Sequence, residues 1–197
     1  MEKKHLKLPI LILIILAAAF SRLIPHIPNF SAFGAIALFG AAHLQKKWQV
    51  FLIPAMALWL SSLVIDNVYY AADYTGFVWF YEGFHWQLLS YFAIGALGLF
   101  LFKKEVSVMK TGIGALSAGL IFFIVTNFGV WMTSSLYEPT LSGLATCFTA
   151  AIPFYRATML GDVLFTFVLF GGYYLAQQKF DFLKDNRSGT MQEVQSF

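Results

Sequence analysis

The chain has a single cysteine, Cys147, so no intramolecular disulfide can brace it. Charge is scarce as well: Lys, Arg, Asp and Glu make up 12% of residues, about half the share usual in soluble domains. Catalytic signatures are missing. There is no G-x-S-x-G nucleophile turn, no H-E-x-x-H helix and no Walker phosphate loop, and His5, His26, His43 and His85 are too dispersed to propose as a metal set. These absences point away from a disulfide scaffold, a zinc site and an ATPase. We expect no cofactor, no nucleic-acid partner and no enzymatic activity. Cys147 is the one residue that could serve as a soft metal ligand, although a lone cysteine in an apolar stretch is usually just buried.

Greasy residues take the place of what is missing: 59% of the chain is hydrophobic, 18% is aromatic, and the mean hydropathy is +0.70. That composition predicts an all-α, polytopic protein embedded in the lipid bilayer. Six stretches reach or approach the ~20 apolar residues that a bilayer core requires: roughly 8–25, 31–44, 49–65, 87–102, 112–134 and 158–177. The second, "SAFGAIALFGAAHL", reaches only about 21 Å as a helix and must be shielded by its neighbours or thin the bilayer. Pro25 and Pro28 break the chain before it, and Asn29 or Ser31 can cap the new helix.

Basic residues orient the spans. Eleven of the thirteen Lys and Arg fall in the termini and in the connections around residues 46, 103 and 110, whereas Arg22 and Arg156 alone occupy the opposite set. By the positive-inside rule this predicts six transmembrane helices with both termini in the cytoplasm. The domain reading is a six-helix transmembrane unit over residues 1–178 and a polar, flexible cytoplasmic tail over 179–197. The connections 22–30, 66–86 and 135–157 then face outward.

Those outward connections carry most of the polar and aromatic residues away from the tails. An ionisable group at membrane depth normally faces a bundle interior or a wet cavity. Arg22, Asp66, Arg156 and Asp162 are such groups. Asn127 and Trp131, at i and i+4 in "TNFGVWM", share one face of the fifth span. With Asn29, Trp79 and Tyr137 they form the expected substrate-binding set around an outward pocket. The alternative reading makes Arg22–Asp66 and Arg156–Asp162 structural ion pairs and Asn127 an interhelical tie. Small residues give a second signal: Gly34, Ala37, Gly40 and Ala41 let helix backbones approach closely, within the bundle or against a partner.

The segments "RLIPHIPNFSAFGAIALFGAA", "SSLVID", "TNFGVWM" and "LSGLATCFTAAIPFYRATMLGDVLF" resemble a family of six-helix bacterial membrane proteins with no assigned activity, from Arg22 to Gly172. In size, helix count and outward loops the chain loosely resembles the S components of energy-coupling-factor vitamin transporters. That resemblance implies the following expectations. The protein sits in the bacterial cytoplasmic (inner) membrane, loops after helices one, three and five help to hold a vitamin-like nutrient, and Gly34, Ala37, Gly40 and Ala41 dock a transmembrane coupling protein that works with ATPases. The chain departs from the pattern in placing its small-residue motif in the second span, and "MEKKHLK" lacks the metal-binding start of the cobalt and nickel members. The other readings are a structural or assembly subunit of a larger membrane or envelope complex and, third, an intramembrane enzyme using Asp66 or Asp162.

Overall fold

The computed structural model describes residues 4–24 and 27–184, and these form six α-helices with no strand. They are α1 (Lys7–Phe20), α2 (Phe33–His43), α3 (Lys47–Val64), α4 (Phe84–Leu101), α5 (Val108–Thr133) and α6 (Leu141–Lys179). The helix starts are chemically marked. Ser107 caps α5 by accepting from the Lys110 N–H at 3.3 Å, and Thr140 caps α6 by accepting from the Gly143 N–H at 3.1 Å. The Gln49 side chain reaches back to the Lys46 N–H at 3.0 Å to start α3. Gly83, at φ 84°, supplies the left-handed turn that opens α4.

Among the described residues, four helical segments are long and apolar enough to cross a membrane: Lys47–Tyr69, Phe84–Leu101, Val108–Thr133 and Leu141–Lys179. The other two differ from the expected spans. α1 has 14 residues and passes into a 3-10 turn at Ser21–Leu23, short of the expected end at 25. α2 has 11 residues, all of them buried. A helix with no polar face and no exposed face is a core element, and α2 packs against α1, α3, α4, α5 and α6.

The small residues of α2 make that central position possible. A side chain at Gly98 in α4 would overlap Ala41, so these two helices are held close, and Gly40 lies against Leu44 and Pro54 of α3. Ala37 and Ala41 are each 1% exposed. Gly34, Ala37, Gly40 and Ala41 therefore pack inside the bundle, the first of the two uses their spacing suggests.

The expected connection over 135–157 is also corrected. Most of it is helix, because α6 starts at Leu141 and runs for 39 residues to Lys179, leaving only 134–140 between α5 and α6. Thr140 caps the start, and Pro153 sits inside the helix without ending it. At the opposite end, residues beyond α6 fold back onto the bundle. The Leu183 carbonyl accepts from the Tyr173 hydroxyl at 3.0 Å and from Gln177 Nε2 at 3.1 Å, and Lys7 Nζ donates to the Lys184 carbonyl at 3.3 Å. Lys184 also pairs with Asp181 at 2.6 Å and holds that carboxyl below the ordinary carboxylate range. The remainder of the expected tail, 185–197, lies outside the described residues.

Candidate binding cleft and the polar cluster behind it

Polar chemistry collects at the end of the bundle where α1, α3 and α5 stop and α2 and α4 begin. Its deepest member is Asp162, 2% exposed in α6. The backbone N–H groups of Gly34 and Ala35, in the first turn of α2, hydrogen-bond its carboxylate. No side chain within α2 caps that turn. Asp162 therefore caps α2 from a different helix, where the unsatisfied N–H groups and the positive end of the helix dipole favour an anion. Its Oδ2 is buried without a hydrogen-bond partner, as is Thr166 Oγ1 one turn further along α6.

Beside it lies a second charged group. Arg22 Nη1 donates to Ser62 Oγ at 3.4 Å, and the guanidinium carbon sits 5.6 Å from the centre of the Phe33 ring. Asp66, 8% exposed, is within the field of Arg22. It belongs to a π turn at Ile65–Tyr69, where α3 widens before the loop. Such turns often occur at functional sites. Tyrosine hydroxyls join the parts: Tyr81 donates to Gln87 Oε1 and also hydrogen-bonds Ser62, and Tyr91 hydrogen-bonds Ser31. Burial raises the Tyr81 hydroxyl above the ordinary tyrosine range, so it stays protonated and able to donate.

A cleft of about 220 Å³ opens between α5 and α6, with Asn29 and Gln87 at its edge. Phe122, Phe123, Phe154 and Tyr155 supply aromatic walls, and Thr126, Asn127 and Thr158 supply polar groups. Thr158 is one helical turn from Asp162, and Gln87 reaches Tyr81, so the cleft borders the buried cluster at two points. Asn29 holds the left-handed conformation at φ 64°, which asparagine tolerates better than most residues.

The expected site residues thus divide into three groups. Asn29 and Asn127 line the cleft. Arg22, Asp66 and Asp162 form the cluster behind it. The remaining four line neither. Trp131 Nε1 donates to the Glu138 carbonyl at 2.9 Å and ties the end of α5 to the next connection. Trp79 is 60% exposed, packs its ring on Phe77 at 4.7 Å, and accepts through its carbonyl from Trp59 Nε1 at 3.1 Å. Tyr137 is half-buried in the α5–α6 connection, and Arg156 is exposed on α6. An Arg156–Asp162 ion pair is therefore not the device that holds α6; the α2 backbone is what Asp162 meets.

Sequence reasoning passed over Gln87, Thr126, Tyr155 and Thr158, all of which line the cleft. A detectable signal was present for two of them: Thr158 precedes Asp162, and Thr126 precedes Val130, by one turn on the same helical face. It also passed over Asn67. Its side-chain Nδ2 donates to the Leu63 and Val78 carbonyls, each at 2.9 Å, and its Oδ1 accepts from the Val78 N–H at 2.7 Å, clamping the 70–80 loop to α3. Cys147 is buried, with Sγ donating to the Asn127 carbonyl at 3.4 Å. Among the described residues, no group of three or more His, Cys, Asp or Glu side chains could hold a metal ion.

An all-helical bundle with four membrane-length apolar helices is compatible with a membrane protein. The chain belongs to DUF6580, a family of unknown function, which it matches over residues 2–186. No curated protein and no solved structure matches it.

Proposed function

We propose that this protein is a membrane-embedded binding component for uptake of a small, vitamin-like nutrient, with the α5–α6 cleft as its outward-facing site. The observation that carries this reading is the coincidence of a cleft walled by aromatic rings and edged by amides with a charged, hydrogen-bonded cluster one turn behind it. Ligand sites combine these features: apolar walls that bury a small molecule and a few polar groups that orient it. The lysine-rich connections support an orientation with the cleft on the side away from the cytoplasm, by the positive-inside rule. The setting is then a bacterial inner membrane crossed six times, with α1 at the edge of the bundle and α2 enclosed by the other helices.

The loose resemblance to S components suggests the energy source, a separate coupling protein with its ATPases. With α2 enclosed, such a partner would meet the outer faces of the long helices. A second reading, a structural subunit of a larger membrane complex, is favoured by one feature. The 69–80 loop exposes Tyr69, Tyr70, Tyr74, Phe77, Trp79 and Phe80, an aromatic surface away from the cleft that suits a protein contact.

Thermal unfolding in detergent against a vitamin library separates the two. A cleft ligand at a hundredfold its Kd stabilises the fold by about 2.7 kcal/mol. Stoichiometric co-purification with a large envelope assembly, with no response to any small molecule, would favour the subunit reading.

A further inference from the structure

We infer that the cleft selects an uncharged planar ligand bearing a carboxamide or lactam, an inference that rests on the cleft being the binding site. Three features lead there.

The first is charge. Among the described residues, no Asp, Glu, Lys, Arg or His side chain lines the cleft, although its residues come from α4, α5, α6 and the segment before α2. Of the charged residue types behind it, Asp162 bonds the α2 backbone and Arg22 meets Ser62 and Phe33, and neither is among the residues lining the cleft. An ion moved from water into such a site loses hydration and gains no counter-charge, a cost that favours neutral ligands strongly.

The second is the type of hydrogen-bonding valence left over. Thr126 Oγ1 donates to the Phe122 carbonyl at 2.7 Å, and Thr158 Oγ1 donates to the Phe154 carbonyl at 3.4 Å. A hydroxyl has one proton, so both threonines have only lone pairs left for a ligand. Asn127 spends one N–H on the Phe123 carbonyl at 2.8 Å and keeps its oxygen and its other N–H. The α5–α6 side of the cleft therefore offers three acceptors, on Thr126, Thr158 and Asn127, against the donors left on Asn127 and Tyr155, and favours a ligand that brings an N–H. Gln87, which lines the cleft from α4, receives the Tyr81 proton on Oε1 and keeps its two N–H donors, which call for a carbonyl. A ligand with an N–H on one side and a C=O on the other satisfies both.

The third is shape. Phe122, Phe123, Phe154 and Tyr155 present ring surface to a space of about 220 Å³, which suits a flat ring system.

Three compounds of one shape and different charge test this: benzamide, benzoate and benzamidine, titrated against the purified full chain and read by quenching of its tryptophans and by the shift in melting temperature. The expected result is saturable binding of benzamide, at least tenfold tighter than either ion. In the Thr126→Val, Thr158→Val double variant, which keeps side-chain size but removes the acceptors, benzamide binding weakens at least tenfold while the unliganded melting temperature stays within a few degrees. Tighter binding of benzoate or benzamidine at the cleft, abolished by Ala151→Trp, would overturn the ligand class and leave the cleft reading standing. Binding of none of the three, combined with no response to the wider vitamin library, would overturn the cleft reading and this inference with it.

Discussion

Asp162 of α6 and Gly34 of α2 occupy complementary space: the carboxylate fills the position that a β-carbon at Gly34 would need and hydrogen-bonds the N–H groups of Gly34 and Ala35. One pair of residues thereby fixes where the buried helix begins and how deep the long helix sits beside it. Gly119 of α5 closes the other side, where a β-carbon would come within 3.4 Å of Asp162 Oδ2.

The first prediction follows from that fit. Gly34→Ala must displace the carboxylate, and overpacking of this kind costs about 1–3 kcal/mol. Asp162→Ala removes the cap and costs about 0.5–2 kcal/mol. Because the two act on one contact, the double variant should lose less than the sum. Additive losses in melting temperature would show that Asp162 and Gly34 act separately.

Such a pairing is only partly visible in a sequence. The glycines and alanines of "SAFGAIALFGAA" signal close helix approach, and the isolated Asp162 in an apolar run signals a buried role. Nothing in the chain order says that one caps the other, because the partners are 128 positions apart and meet through backbone N–H groups, which every residue except proline has. The helical class and the long apolar spans were legible because apolar length is a local property. The start of α6 was not, since the polar residues and Pro153 of 141–157 resemble a connection until Thr140 is recognised as a cap. The cleft was legible in Asn29 and Asn127 and hidden in Thr126 and Thr158, whose hydroxyls look like ordinary helix-interior residues.

The second prediction concerns pH. The folded chain holds the Tyr81 proton more tightly than the unfolded chain, chiefly because the hydroxyl is desolvated, with Arg22 opposing and Asp66 reinforcing the effect. A folded-state pKa raised above the unfolded value contributes stability that is fully present below about pH 10 and is lost as pH rises beyond it. Melting temperature should therefore fall from about pH 10 upward in the wild type and fall less in Tyr81→Phe. Parallel curves for the two would remove Tyr81 from this role.

The third prediction concerns the loop clamp. Asn67→Ala removes two hydrogen bonds that hold Val78 and the 70–80 loop, and a third to the Leu63 carbonyl of α3. The expected cost is about 1–3 kcal/mol, felt mainly as local opening. Limited proteolysis should cut within 70–80 faster, with global melting little changed. Unchanged protection of the loop would contradict the clamp.

The fourth prediction fixes orientation. Cysteines introduced as Lys47→Cys and Lys104→Cys in a Cys147→Ser background should react with a membrane-impermeant reagent only in opened cells. Labelling of either in intact cells would reverse the proposed direction of the cleft.

The most direct test of the central claim, that the α5–α6 cleft holds a small molecule, is native mass spectrometry of the protein released gently from its membrane, compared with Ala151→Trp. Ala151 lines the cleft and is 9% exposed, so an indole there fills the space without touching the Asp162–Gly34 contact. The account predicts a bound small molecule at one per chain in the wild type and none in the variant, with both proteins folded. An identical spectrum for the two, with the same bound species or with none, would contradict it.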